Sequence, residues 1–317
     1  MKIVILDAAT LGEDLDLSLF SQYGDVEIYQ TTTPEQMQER TREADVLILN
    51  KVRCNAETLS AAKNLKQICV SATGYDNIDV AFCKEKGIAV CNVVGYSTES
   101  VAMLTISMAL SLATHLGEYD AYTKSGAYSC GRFANALSPV YHEIKGKTWG
   151  IYGYGNIGRR VADVAKALGC RVLVCKREPI ENEECVTLDE LVSRADILSV
   201  HTPLSGDTRG SLSRERLFKM KKGSILINVA RGAVLDEEAV TDLVLSGHLG
   251  GFGTDVYSQE PFPIAHPYGK LFDAKNVILT PHMAWGAKEA RERCMREIAE
   301  NIKAYFNGEI RSRVDLI

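Results

Sequence analysis

Three residues in the C-terminal half, Arg231, Glu260 and His282, bring a permanent cation, a carboxylate and an imidazole to the ends of apolar runs. A guanidinium binds a carboxylate through two parallel N–H donors and polarises a carbonyl beside it, which suits a 2-oxo acid. An imidazole held by a carboxylate keeps one tautomer and is stabilised in its protonated form. It can then give a proton to a carbonyl oxygen as hydride reaches the carbon. In that arrangement Glu260 orients His282. Taken singly, each has an ordinary alternative: Arg231 pairing with a surface acid, His282 as a satisfied core histidine after Pro281, Glu260 as a solvated loop acid before Pro261. The other histidines (115, 142, 201, 248, 266) lack such company, and no His/Cys/acid cluster has metal-ligand spacing, so no metal is expected.

A hydride donor needs a site, and residues 148–177 supply its pattern. An apolar run at 149–152 leads into Gly153-Tyr-Gly155-Asn156-Ile157-Gly158, and Ile157, Val161, Val164, Ala165 and Leu168 then recur at helical spacing. Gly169 can close that helix, and the β-branched run 171–175 reads as a second buried strand. Gly153 permits the tight turn, Gly155 lets backbone approach a pyrophosphate, and Gly158 lets helix pack on strand. The helix N-terminus offers N–H groups to the anion. The spacing therefore predicts dinucleotide binding rather than a merely structural glycine turn. After the second strand, where an acid would accept bonds from the ribose hydroxyls, stand Lys176 and Arg177, followed by Glu178. Two cations suit a 2′-phosphate and favour NADP; if they are only solvated surface charges, the cofactor is NAD.

The elements that carry these groups alternate along the chain. Apolar runs at 3–6, 26–29, 46–49, 67–70 and 89–92 are separated by helix-like stretches at 34–44, 56–63 and 78–86, which predicts a parallel sheet covered by helices. After the fourth run, small residues and a glycine at 71–79 could hold a carboxylate on backbone N–H groups, or could simply turn the chain into a helix capped by Asp76 or Asn77. Residues 101–116 read as a buried helix linking domains or packing at a dimer interface, with Met103 and Met108 as core fillers. Periodicity is lost over 117–147, where exposed aromatics suggest an arm or partner contact. Further strands at 197–200, 224–229, 250–254 and 277–279 end in small or polar loops, and an amphipathic helix over 287–306 could return to the first domain.

With 317 residues, two domains of ordinary size are expected. A formal charge of −5 with no basic stripe argues against nucleic acid. The opening apolar run reaches Asp7 too soon for a signal peptide or membrane span. Nine cysteines without CxxC pairs read as reduced thiols of a cytoplasmic protein.

Seven stretches carry a resemblance: ATGYDNID at 72–79, GYSTESVA at 95–102, GYGNIG at 153–158, HTPL at 201–204, NVARGAVLDEEAV at 228–240, GTDVYSQEP at 253–261 and PHMAW at 281–285. Over its whole length the chain resembles the D-isomer-specific 2-hydroxyacid dehydrogenases. The opening MKIVILD, the 72–79 loop, GYST and HMAW bring it nearest to their glycerate dehydrogenase, or hydroxypyruvate reductase, branch. The expected fold is α/β, with two Rossmann/flavodoxin-like parallel-sheet domains and a cleft between them. A substrate-binding domain would comprise 1–98 plus 287–317, and a dinucleotide-binding domain 99–286. The resemblance implies that Arg231 binds substrate, that Glu260 and His282 are the acid/base pair, and that Thr73, Gly74 and Tyr75 lie by the substrate carboxylate. It also implies cofactor contacts from Thr98, Val101, Asn156, Ile157, Thr202, Pro203, Val229 and Asp255, and a homodimer joined through the cofactor domain. Closure that excludes water is expected near 95–101 and 283–287.

Two departures from the family pattern stand out. Lys176 replaces the ribose-binding aspartate of NAD-dependent members, and Met103 stands where Glu or Gln is common. The expected activity is an NAD(P)-dependent interconversion of a small 2-oxo acid and its D-2-hydroxy acid, with hydroxypyruvate or glyoxylate favoured. The alternatives are a D-lactate or branched D-2-hydroxyacid dehydrogenase and an NAD(P)-sensing, corepressor-like binding protein. The complete Arg/Glu/His set favours an enzyme.

Overall fold

The computed structural model describes residues 1–178 and 180–317 and divides them into two compact units, Met1–Ser97 with Trp285–Ile317, and Thr98–Ala284. The first unit is built on β1 (Lys2–Ile5), β2 (Asp25–Ile28), β3 (Val46–Leu49), β4 (Gln67–Val70) and β5 (Ala89–Cys91), parallel in the order β2-β1-β3-β4-β5. Helices α1 (Pro34–Thr41), α2 (Val80–Glu85) and the late α9 (Lys288–Phe306) cover it. A parallel strand buried on both faces needs an unbroken apolar run, and β3, reading VLIL, is fully buried. On one face Ala290, Cys294, Met295, Ile298 and Ile302 of α9 meet Ile3, Ile5, Val46 and Cys69. On the other, Met37 and Cys83 join Val4, Leu47 and Ile68.

Two local expectations are corrected in this unit. Residues 56–63 form successive turns rather than a helix, because Asn55 Oδ1 captures the N–H groups of Glu57 (3.1 Å) and Thr58 (2.9 Å). The helix after 71–79 is capped by Asp79, which accepts from Phe82 N–H (3.0 Å), and not by Asp76 or Asn77. The Asn77 amide is spent on the carbonyls of Asn50 (3.3 Å) and Val52 (2.7 Å).

The second unit opens with α3 (Thr98–Thr114) and α4 (Leu116–Lys124), bent by 64° where His115 adopts a left-handed φ of 52°. Then follow β6 (Thr148–Tyr152), α5 (Asn156–Ala167), β7 (Arg171–Cys175), α6 (Leu188–Arg194), β8 (Ile197–Val200), α7 (Arg214–Leu217), β9 (Ile225–Asn228), α8 (Glu237–Leu245), β10 (Gly251–Thr254) and β11 (Val277–Leu279). All strands are parallel in the order β11-β10-β9-β8-β6-β7. The irregular segment therefore begins only after Lys124, since α4 occupies the start of the stretch that lacks periodicity. α3 buries one face through Val101, Ala102, Thr105, Met108 and Leu112, whereas Met103 is 62% exposed and is no core filler. It lies on the sheet where β10 presents Gly251 and Gly253, whose missing side chains leave the room that Leu112 and Met108 occupy. No single helix among the described residues is long and apolar enough to cross a membrane.

Candidate active site

The order of the second sheet reverses around β6, which pairs with β7 on one side and β8 on the other. Loops leaving β6 and β8 diverge there, and in open parallel sheets that point at the C-terminal strand ends receives the ligand. The glycine turn sits at it. Gly153 takes a φ of 95°, and a methyl on it would press on the His201–Thr202 backbone. Gly158 is equally constrained, for a Cβ there would overlap the carbonyl oxygen of Gly153, so only glycine lets α5 approach β6. Gly155, by contrast, faces open space and caps α5 without any side-chain bond. The first turn of α5, with Asn156 and Ile157, carries the N–H groups that a helix start leaves without intrahelical partners, beside room for a ligand, which fits a dinucleotide pyrophosphate. At its far end α5 closes as expected: Gly169 (φ 82°) donates to Lys166 O (2.9 Å) and Cys170 to Ala165 O (3.0 Å).

Other expected cofactor residues gather at the same strand ends. Thr202 and Val229 are buried after β8 and β9, and Pro203 is exposed beside Thr202. Thr98 and Val101 lie in the first turn of α3. Lys176 and Arg177 are exposed after β7, where Arg177 meets Asp207 at 3.0 Å with both side chains about 80% exposed. Two acids of the same loop are already engaged: Glu183 with Lys166 (2.6 Å) and the Tyr154 hydroxyl (2.5 Å), and Glu184 with Arg171 (2.7 Å) and Arg194 (2.6 Å).

Arg231, Glu260 and His282 all belong to this unit. His282 Nδ1 lies 2.6 Å from Glu260 Oε2, and the other oxygen of Glu260 accepts from Tyr257 N–H (3.1 Å). With Nδ1 turned to the carboxylate, Nε2 is the ring nitrogen on the side away from it. The His282 backbone has a φ of 53°, uncommon for a residue with a Cβ, and such conformations concentrate at functional sites. Asp255 holds it there. One oxygen accepts from the Thr280 hydroxyl (2.6 Å) and Met283 N–H (2.9 Å), the other from Ala284 N–H (2.8 Å). Burial raises the Asp255 carboxyl above its ordinary range against the pull of these donors. Arg231 is set by Asn228, whose amide donates to Arg231 O (2.9 Å) and accepts from Ala230 N–H (3.1 Å), and by its own Nη1 bond to Ala230 O (2.8 Å).

The bracing roles of Asn228 and Thr280 were not read from the sequence. Asn228 stands in the quoted 228–240 stretch and could have been suspected as a buried amide shaping a turn. Nothing local marks Thr280. In the first unit, the Thr73 hydroxyl donates to Val93 O (2.8 Å) and the Asn92 amide to Thr73 O (2.7 Å), which fixes the loop carrying Gly74 and Tyr75. Among the described residues no three His, Cys, Asp or Glu could hold a metal ion.

His201 directly follows β8, with its Nε2 2.9 Å from Ser199 Oγ, and Ser199 Oγ accepts from Trp149 Nε1 (2.9 Å). Burial pushes its imidazole down to about 3 from 6.5, so the ring is neutral near pH 7. A depressed histidine contributes stability that is complete above 6.5 and lost as pH falls toward 3, at about 1.4 kcal/mol per pH unit. Urea unfolding at pH 7 and pH 5 is expected to show a smaller acid loss for His201→Gln than for the parent protein. Equal losses would remove His201 from the acid response.

Comparison with known proteins agrees with this geometry. A hydroxypyruvate reductase of Blautia hydrogenotrophica is 36% identical over 97% of this chain and 98% of its own. A glycerate dehydrogenase of Methylorubrum extorquens is 34% identical over 99% of both. The solved structure of an acyclic imino acid reductase in complex with NADPH and D-Arg superposes with a TM-score of 0.89 at 28% identity, covering 99% of this chain and 100% of that one. The sequence profile of the D-isomer specific 2-hydroxyacid dehydrogenase NAD binding domain matches residues 106–284, which hold the glycine turn, Arg231, Glu260 and His282 together. The chain is therefore a member of the D-isomer-specific 2-hydroxyacid dehydrogenase family of oxidoreductases, and its second unit carries that family's NAD-binding domain.

Proposed function

We propose that the chain reduces hydroxypyruvate, or glyoxylate, to D-glycerate or glycolate with NADPH. The carrying observation is the His282–Glu260 pair at 2.6 Å, in the same unit as Arg231. A bound nicotinamide dinucleotide supplies the hydride. The Arg231 guanidinium binds the carboxylate of the oxo acid and draws charge toward its carbonyl oxygen. His282 Nε2 gives that oxygen its proton, Glu260 stabilises the imidazolium before transfer, and Asp255 keeps the 282–284 turn in place. Thr73, Gly74 and Tyr75 contribute to carboxylate recognition from the first unit. The names of the relatives from Blautia and Methylorubrum support the substrate reading.

The preference for NADPH rests on Lys176 and Arg177, exposed where the ribose would lie, and on the neighbouring Glu183 and Glu184 being tied to cations. The NADPH held by the imino acid reductase supports it. Initial rates with NADPH and NADH against hydroxypyruvate, glyoxylate and pyruvate test both parts at once. Hydroxypyruvate with NADPH is expected to give the highest kcat/KM, and Arg177→Ala to raise KM for NADPH about tenfold with KM for NADH unchanged. Preference for NADH would make the two cations surface decoration, and preference for pyruvate would point to a D-lactate dehydrogenase.

The assembly is proposed to be a homodimer in the cytoplasm. The 125–147 segment exposes Phe133 (79%), Leu137 (75%) and Val140 (72%), apolar surface that a second copy would cover, and nine free cysteines suit a reducing compartment. Sedimentation equilibrium decides the first point: a species at the 34.8 kDa of one chain would end the dimer reading.

A further inference from the structure

Between the turn that carries Arg231 and the loop that carries Glu260 lies a carboxylate that the reaction does not use. Glu237 opens α8, is 9% exposed, and accepts three hydrogen bonds. Ser258 N–H donates to Oε1 (2.9 Å), while the Ser258 hydroxyl and His266 Nε2 (2.9 Å) both reach Oε2. The histidine has no freedom of tautomer, because Tyr268 N–H donates to its Nδ1 (3.2 Å), so Nε2 carries the proton. Its ring is further boxed by Tyr257, Phe262 and Tyr268, at centroid distances of 6.3, 5.0 and 5.0 Å.

Ser258 and His266 are the two ends of the loop that contains Glu260. On the opposite side Gly232, the residue after Arg231, packs so closely on Tyr257 and Ser258 that any side chain there would overlap their backbone. The Arg231 turn, Ser258 and Glu260 therefore share one seam, and Glu237 is bonded to both ends of the loop beside it. A carboxylate is an acceptor only, and three donors converge on it. An amide in its place fails either way, because its NH2 must face Ser258 N–H or the His266 Nε2 proton.

We propose that Glu237 is a positioning residue for the reaction: by locking both ends of the 258–266 loop it sets Glu260 at hydrogen-bond distance from His282. The inference rests on the assignment of Glu260 and His282 in the proposed function. Misplacing a catalytic group by about 1 Å costs on the order of 100-fold, so kcat for hydroxypyruvate reduction in Glu237→Gln is expected to fall about 10- to 100-fold. KM for NADPH should stay unchanged, since the glycine turn is untouched. The readout that a merely structural role would not move is the pH profile. The proposed acid, His282, is held through its Nδ1 by Glu260, and a poorly seated Glu260 loosens that hydrogen bond. The alkaline limb of kcat then moves to lower pH.

The experiment compares that limb in the parent protein, Glu237→Gln, Ser258→Ala and Glu260→Gln, with thermal unfolding of each. A shifted limb in Glu237→Gln, with a smaller shift the same way in Ser258→Ala, supports the proposal. Limbs at the parental position in both, with rates falling only as the folded fraction falls, overturn it. Should Glu237→Gln not fold, Ser258→Ala decides alone by the same criterion. An unmoved limb in Glu260→Gln would instead overturn the assignment of Glu260, and this inference with it. A moved limb there with none in the other variants overturns the positioning role only.

Discussion

Arg231→Ala is expected to lower kcat/KM for hydroxypyruvate about 10³-fold while NADPH still binds as in the parent protein. The side chain stands on a turn that Asn228 braces through two hydrogen bonds, and its Nη1 donates to Ala230 O. In the proposed mechanism, removing it costs the carboxylate its two-pronged partner and the developing alkoxide a fixed cation. The backbone around it should survive, because Asn228 bonds to main-chain atoms of residues 230 and 231. Arg231→Lys keeps the charge but loses the planar fork, and should recover only part of the activity. Stopped-flow binding of NADPH beside steady-state rates separates the two readouts. A loss below tenfold, or a parallel loss of NADPH binding, would remove Arg231 from substrate recognition.

The second large effect is expected at His282. Without a positioned proton donor, general acid catalysis worth about 10²- to 10⁴-fold in kcat disappears in His282→Ala. The sign of the pH response follows from the direction of reaction. If His282 is the proposed acid, reduction uses its protonated ring and the parent rate should decline as pH rises through the alkaline limb; the variant should show a low rate without that limb. Oxidation of D-glycerate requires the neutral ring and should show the opposite slope in the parent. A variant that keeps both rate and limb would assign the proton to another group.

Most of the sheet architecture was legible because buried parallel strands leave a plain trace. Residues 46–49, 67–70, 171–175, 197–200 and 277–279 have the expected boundaries. The glycine turn was equally open to reading, since Gly153 and Gly158 answer steric demands that no other residue meets, while Gly155 leaves the room a ligand would take. What escaped depends on side chains choosing between competing partners. Asn77 could cap a helix by type, yet its amide goes to two carbonyls across the loop, and Asn55 turns a helix-like stretch into a string of turns. Met103 and Met108 look alike in sequence, and only the rotation of α3 on the sheet buries one and exposes the other. Around the chemical groups, the trio was visible as residue types. Its supports at Asn228, Glu237, His266 and Thr280 were not, because a brace is defined by what lies opposite it in space.

The two glycines of β10 carry a consequence for how the second unit comes apart. A strand ordinarily holds its place in a sheet partly through its own side chains, but on the face beneath α3 this one has none, and Leu112 and Met108 fill the gap from the helix. Its burial on that side is thus borrowed. Loosening α3 strips β10 of its cover at once, so helix and strand should open as one cooperative block, with amide protection rising and falling together. Because β10 leads into Asp255 and the Glu260 loop, the reaction machinery hangs from the same block as the helix that begins at Thr98.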